Sequence, residues 1–124
     1  MQQNLLYHDL SHQIIGCAFR VHTKLGSHLP EHCYEHALVH EFSRIGIPAV
    51  EQQRFEVYYD NEHVGHFFTD IIVDSKIVLE IKSTDRLMPN YESQLFTYLR
   101  VTKLKVGYLL NFGNKSLQFK RLIL

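Results

Sequence analysis

The sequence predicts a single α/β domain, in which a mixed central β-sheet is flanked by helices. Its 124 residues match the usual length of one domain. Hydrophobic residues make up 45% and charged residues 21%, which is enough apolar side chain for a core and too little charge for a disordered chain. Two helical patterns are followed by three strand-like runs, a third helical pattern and two further strand-like runs, an order typical of a sheet with helices packed on it.

Two amphipathic helices are predicted at the start. Asp9 or Ser11 is suited to cap the first helix, and Gly26 to follow its end. Its apolar stripe recurs at steps of three and four residues: Leu10, Ile14, Ala18, Val21 and Leu25. Pro30 suits the first turn of the second helix, and Gly46 ends it. The apolar stripe of this second helix consists of Tyr34, Leu38, Phe42 and Ile45.

Five strand-like runs and one more helix follow. The runs are VEQQRFEVYY from Val50, HFFTDIIV (66–73), IVLEIKS (77–83), KVGYLLNF (105–112) and SLQFKRLIL (116–124). Turns are predicted at 60–62, at 74–76 and across Gly113-Asn114, and the short turn at 74–76 predicts an antiparallel hairpin. A helix is predicted from Pro89 to about Val101.

Composition limits the classes of function. The chain has 13 Lys or Arg and 13 Asp or Glu, so a strongly basic nucleic-acid binder is excluded and any such binding is local or weak. No apolar run reaches the ~18 residues of a membrane helix. The first ten residues lack the pattern of a signal peptide, and Cys17 and Cys33 fit a reducing compartment, so a cytoplasmic location is expected.

The predicted hairpin at 66–83 carries three charges in otherwise apolar strands. Strand pairs that are apolar on both faces are normally buried on both faces, which places Asp70, Glu80 and Lys82 in buried surroundings. With a three-residue turn, Val73 faces Ile77, and Asp70 therefore lies opposite Glu80.

Opposed carboxylates repel each other, and burial makes the repulsion more costly. A divalent cation such as Mg²⁺ or Mn²⁺ removes the conflict, and Lys82 shares the face of Glu80. Two carboxylates, a cation and an ammonium suit phosphodiester hydrolysis. The alternative is an ion pair at the sheet edge, because acid-x-Lys is a weak pattern that Asp74-Ser75-Lys76 repeats in a turn.

Four other side chains are candidates for supporting roles. Glu31 either points towards the site or complements the helix dipole, and the dipole explanation is favoured for Glu35. Gln94 and Tyr98 lie one helical turn apart on one face. From the residues alone, this face is expected to pack on the sheet, with Tyr98 in the core.

Taken together, Asp70, the Glu80-Ile81-Lys82 triplet and the Gln94-x-x-x-Tyr98 pair resemble the PD-(D/E)XK nuclease superfamily. Along its whole length, 1–124, the chain more closely resembles the small bacterial GxxExxY proteins grouped with that superfamily. It departs from them at His28, where the family has a glycine, and at Phe68, where an arginine is frequent.

The resemblance implies a restriction-endonuclease-like core and roles by position. Asp70, Glu80 and the main-chain carbonyl of Ile81 are expected to bind the metal, and Glu31 to complete the metal site. Lys82 is expected to be the catalytic lysine, with Gln94 and Tyr98 in support.

Three functions therefore compete. The first is a divalent-metal-dependent nuclease for DNA or RNA, whose weak binding is helped by a partner or by a homodimer. The second is an inactive nuclease-fold protein that binds a partner. The third is a transition-metal module built on His32, His36 and His40, although a solvated helical face explains that stripe more simply.

Overall fold

The computed structural model describes residues 5–124. It contains three helices, α1 (His8–Leu25), α2 (Glu31–Arg44) and α3 (Pro89–Thr102). It also contains five strands, β1 (Ala49–Tyr59), β2 (Glu62–Val73), β3 (Ile77–Lys82), β4 (Val106–Asn111) and β5 (Gln118–Ile123). This order of elements agrees with the order predicted from the sequence.

The five strands form one mixed sheet, whose order in space is the order along the chain. Neighbouring strands run antiparallel except β3 and β4, which are parallel because α3 carries the chain back between them. The predicted mixed sheet flanked by helices is therefore confirmed.

Apolar side chains on the two faces of the sheet form two cores. One face, with residues such as Ile71, Leu79 and Leu110, packs against α1 and α2. The other face, with Ile72, Val78 and Leu109, packs against Leu95 and Leu99 of α3. Glu80 and Lys82 follow Val78 at steps of two, so they continue the face that α3 covers.

Some local predictions were wrong. Helix α1 begins at His8 after Tyr7, which has a left-handed backbone, and neither Asp9 nor Ser11 caps it. Helix α2 ends at Arg44, so Ile45 falls outside it and is 43% exposed.

The prediction that the hairpin is buried on both faces fails at Phe68, which is 44% exposed. Strand β2 pairs with β3 only from Ile71 to Val73, so the earlier part of β2 has no strand on that side. Within residues 5–124, no helix has the length and apolar content needed to cross a bilayer.

Candidate active site

The candidate site lies where β2 and β3 stop pairing. Val73 pairs with Ile77, as predicted, and the ladder ends at the pair of Ile71 and Leu79. The next residues along the two strands are Asp70 and Glu80. In place of a further main-chain pair, the N–H of Ile81 donates to Oδ2 of Asp70 at 2.7 Å. The carboxylate of Asp70 thus takes over a main-chain hydrogen bond at the end of the ladder.

The two carboxyl groups influence each other electrostatically. Glu80 is 4% exposed, and the Asp70 carboxyl group is near enough to shift its pKa. Burial raises the pKa of Glu80 to about 8, and the charge of Asp70 contributes further. Burial also raises the pKa of Asp70, although the Ile81 N–H and the charge of Lys82 act in the opposite direction. Without a cation, the pair is therefore expected to hold a proton at neutral pH.

Lys82 supplies the positive charge of the site. Its Nζ lies 3.7 Å from Oε2 of Glu80, which is an ion pair but is longer than a hydrogen bond. The same Nζ lies 4.6 Å from the centre of the Tyr91 ring, a cation–π distance. The lysine side chain is 17% exposed, so the ammonium can reach a molecule that enters from solvent.

The donors present at this centre fit a hard divalent cation. Two buried carboxylates repel each other, and a cation between them relieves that repulsion. Mg²⁺ is commonly bound through one or two carboxylates, with water as the remaining ligands. Among residues 5–124, however, no group of three or more His, Cys, Asp or Glu side chains is arranged to hold a metal ion. Asp70 and Glu80 are thus a pair of carboxylates, which Glu31 does not extend to a group of three within the described residues.

Helix α3 places a polar pair beside the acids. Nε2 of Gln94 donates to the hydroxyl of Tyr98 at 3.0 Å. The Tyr98 ring stacks on Phe67 of β2, with centroids 4.6 Å apart and planes 9° apart. Burial raises the pKa of Tyr98, and the charges of Glu80 and Asp70 raise it further. The hydroxyl therefore lies within the electrostatic field of the acid pair.

The two glutamates of α2 differ from expectation. Glu31 is exposed in the first turn of the helix, and its link to the site is electrostatic: its charge raises the pKa of Glu80. Glu35, for which a helix-dipole role was favoured, is only 6% exposed and accepts a 2.9 Å hydrogen bond from Nε2 of Gln52. Burial raises the pKa of Glu35 to about 7, and the charge of Asp70 adds to this rise.

Gln52 and the inward position of Glu35 were not predicted from the sequence. The available signal was that Glu35 shares a helical face with Tyr34 and Leu38, both of which are fully buried. No local pattern marks Gln52.

Asn111 was missed as well, and it holds the segment that follows Lys82. Its Oδ1 accepts from the N–H groups of Thr84 and Gly113, both at 3.0 Å. Its Nδ2 donates to the carbonyl of Thr84 at 3.0 Å and to Oε1 of Gln118 at 2.9 Å. The side chain is fully buried and has a partner for each of these atoms, so it ties β4 to the chain beyond β3.

Two histidines of the stripe contact each other and Glu51. The rings of His32 and His36 have centroids 6.0 Å apart, and Nε2 of His36 lies 3.1 Å from Oε2 of Glu51. In the part of the chain that the structure describes, no third ligand joins these histidines in a metal-binding group.

A cavity of about 380 Å³ lies between α1 and α2 and contains none of the site residues. Its polar lining includes Arg20, Lys24, His40 and Arg44, but Glu41 pairs with Arg20 at 2.7 Å and with Arg44 at 3.2 Å. Because these ion pairs neutralise charges that line the cavity, the pair of Asp70 and Glu80 is a stronger candidate for a catalytic site than the cavity is.

Comparison with known proteins agrees with this fold. A family model described as the PD-(D/E)XK nuclease superfamily matches residues 8–122. The crystal structure of SSO0001 is similar, with a TM-score of 0.58 and 17% sequence identity, over 94% of this chain. The chain covers 59% of that larger chain, and the likeness concerns the fold alone. A search of the curated proteins gave no significant match.

Proposed function

Because the chain belongs to the PD-(D/E)XK nuclease superfamily, we propose that it hydrolyses phosphodiester bonds of DNA or RNA with a divalent cation, Mg²⁺ or Mn²⁺. The observation that carries the proposal is the buried pair of Asp70 and Glu80, with Nζ of Lys82 at 3.7 Å from Glu80. Within that superfamily we assign the chain to the GxxExxY proteins, on the motifs given above.

We assign the cation to the carboxylates of Asp70 and Glu80 and to the carbonyl of Ile81, with Glu31 as an outer acidic group. When bound, such a cation polarises a phosphoryl oxygen and lowers the pKa of a water molecule. Asp70 is already oriented for this role by its hydrogen bond from Ile81. A cation also neutralises the carboxylates, which explains how the chain tolerates two acids in an apolar part of the sheet.

Lys82 stabilises the negative charge that develops on the phosphoryl group, or orients the attacking water. Its ammonium lies over the Tyr91 ring, and the side chain keeps 17% of its surface exposed, so solvent can still reach it. Gln94 and Tyr98 orient groups at the same entrance or contact a phosphate, since their hydrogen-bonded pair lies beside the acids.

The charge distribution supports a polyanionic substrate despite a formal net charge of zero. Nine of the 13 Lys and Arg residues lie at 74–124, whereas nine of the 13 Asp and Glu residues lie at 1–73. The basic part contains β3, which carries Lys82, together with α3, β4 and β5. Contacts between this part and phosphates would supply modest, salt-dependent binding, which a partner or a second copy of the chain would strengthen. We further propose a cytoplasmic setting, in keeping with two free cysteines.

Cleavage assays on single- and double-stranded DNA and RNA with Mg²⁺ or Mn²⁺ test the proposal. Glu80→Ala is expected to abolish cleavage, and Lys82→Ala to lower it by about 10²- to 10³-fold. Lys76→Ala is the matched control, because Asp74-Ser75-Lys76 repeats the acid-x-Lys spacing on an exposed turn. It should leave cleavage unchanged, because Lys76 is already paired with Asp74 and is not among the basic residues expected to contact phosphates. Activity that survives both Glu80→Ala and Lys82→Ala would belong to a contaminant. Absence of cleavage by the parent on all substrates would favour the inactive, partner-binding alternative.

A further inference from the structure

Gln52 has a backbone conformation that is unusual inside a strand. Its φ is 50°, in the left-handed region, and it lies in β1 between the pairs Glu51–Ile71 and Gln53–Thr69. That position in the register is opposite Asp70. A residue other than glycine is strained in this region, and Gln lacks the short side chain with which Asn or Asp offsets the strain. Such strain persists where surrounding contacts enforce it, and it is concentrated at functional sites.

The contacts of the Gln52 side chain explain why the strain is retained. Its Nε2 donates to Oε1 of Glu35 at 2.9 Å, so the side chain of a sheet residue reaches helix α2. In the register of β1 and β2 the same residue is opposite Asp70, and its side chain counteracts the rise of the Asp70 pKa. Gln52 therefore stands between a buried glutamate and one of the two acids of the candidate site.

We propose that Gln52 is a positioning residue, which links Glu35 of α2 to Asp70 of β2 and thereby holds the Asp70 carboxylate against the Ile81 N–H. Asp70 lies at the end of the β2–β3 ladder, where no further main-chain pair restrains it. Its hydrogen bond from Ile81 comes from β3, and Gln52 faces it from β1. This bridge of Glu35, Gln52 and Asp70 sets the position of the Asp70 carboxylate relative to that of Glu80. The geometry of any bound cation depends on that position. The catalytic part of this inference rests on the proposed function, whereas the structural part does not.

The test uses two variants that lose the bridge in different ways. Gln52→Gly removes the side chain and relieves the left-handed strain, and Gln52→Asn tolerates the same backbone but is one methylene too short. Asn61→Gly is the matched control, since Asn61 has φ 65° in the turn between β1 and β2, far along the chain from Asp70. The probe is the amide proton of Ile81, observed by NMR in metal-free protein, with Leu79 and Leu110 as references.

We expect both Gln52 variants to move the Ile81 amide proton upfield, well beyond any change at Leu79 or Leu110, without loss of the free energy of unfolding in Gln52→Gly. We expect cleavage to fall on the order of tenfold or more through kcat, because small displacements of a catalytic group are costly. Asn61→Gly should change neither quantity. An unmoved Ile81 proton in both variants would overturn the proposal. A shifted proton in a protein whose parent cleaves nothing would instead retain the bridge and overturn the proposed function.

Discussion

The main-chain N–H of Ile81 donates a 2.7 Å hydrogen bond to the carboxylate of Asp70, eleven residues earlier on the neighbouring strand. The donor belongs to the residue between Glu80 and Lys82, so this single contact fixes the position of Asp70 relative to the Glu80-Ile81-Lys82 triplet. The contact is possible because the β2–β3 ladder ends one pair earlier, at Ile71 and Leu79, which leaves the N–H of Ile81 for a side-chain acceptor.

The first prediction concerns the pH dependence of stability without metal. The pKa of Glu80 is about 8 in the folded protein, above its ordinary 4.5, so the folded state binds more protons between these values. Stability should therefore fall as pH rises from about 4.5 to 8. Glu80→Gln should remove much of this slope and raise the Tm at pH 8 by about 3–10 °C, measured by thermal unfolding in a chelator.

Glu41→Gln is the control for this pH experiment. Although burial opposes it, the hydrogen bond from Arg44 and the charge of Arg20 lower the pKa of Glu41, so it is ionised in both the folded and unfolded states above pH 6. Its replacement should leave the slope between pH 6 and 8 unchanged. A parent whose Tm is flat or rises over this range would contradict the buried-acid interpretation.

The second prediction concerns metal addition and removal. Mg²⁺ or Mn²⁺ should raise the Tm of the parent. At a cation concentration about one hundred times the dissociation constant, the free energy of unfolding should rise by about 2.7 kcal/mol. The effect should grow from pH 6 to pH 8, because the cation competes with the proton held by Asp70 and Glu80. A chelator should reverse it, and Asp70→Asn with Glu80→Gln should abolish it.

The histidine stripe supplies the comparison for the metal experiment. His32→Ala with His36→Ala should leave the Mg²⁺ and Mn²⁺ effects intact, since the charged partner of His36 is Glu51 and not Asp70 or Glu80. Stabilisation that is lost in the histidine variant and kept in the carboxylate variant would place the cation at the stripe.

The sequence predicted those features that depend on neighbouring residues. The turn at 74–76 fixes the register of the hairpin, because a three-residue connection between antiparallel strands leaves one pairing of Val73. The apolar stripes of α1 and α2 likewise identify their buried faces, of which Ile14, Ala18 and Leu38 are fully buried.

Features that depend on distant parts of the chain were not predictable in this way. The burial of Glu35 depends on its contact with Gln52, and the left-handed backbone of Gln52 has no signature in a strand-like sequence. Similarly, Asn111 looks like an ordinary strand-end residue until the fold brings Thr84 beside it. In each case the deciding partner is 17 or more residues away.

The third prediction separates the two parts of Tyr98. Tyr98→Phe removes the hydroxyl that accepts from Gln94 but keeps the ring that stacks on Phe67. We expect a stability loss of less than about 1 kcal/mol and a clear fall in cleavage. Tyr98→Ala removes the stacking as well and should cost about 2–4 kcal/mol. Equal cleavage by Tyr98→Phe and the parent would reduce Tyr98 to a packing residue.

The fourth prediction concerns the close approach of two main-chain segments beside Lys82. A Cβ atom at Gly113 would overlap the main chain of Ser83 and Thr84, the two residues that follow Lys82. Because neither backbone segment can yield easily, with Asn111 tying them together, Gly113→Ala should destabilise the protein by about 2–4 kcal/mol. Gly16→Ala is the matched control, since nothing lies within 4 Å of its added Cβ and alanine favours a helix by about 0.5–1 kcal/mol. Thermal unfolding should thus separate the two variants in opposite directions from the parent. Cleavage per folded molecule should fall only in Gly113→Ala, as the displaced segment carries Lys82 with it, and an unchanged rate there would show that the attachment matters for stability alone.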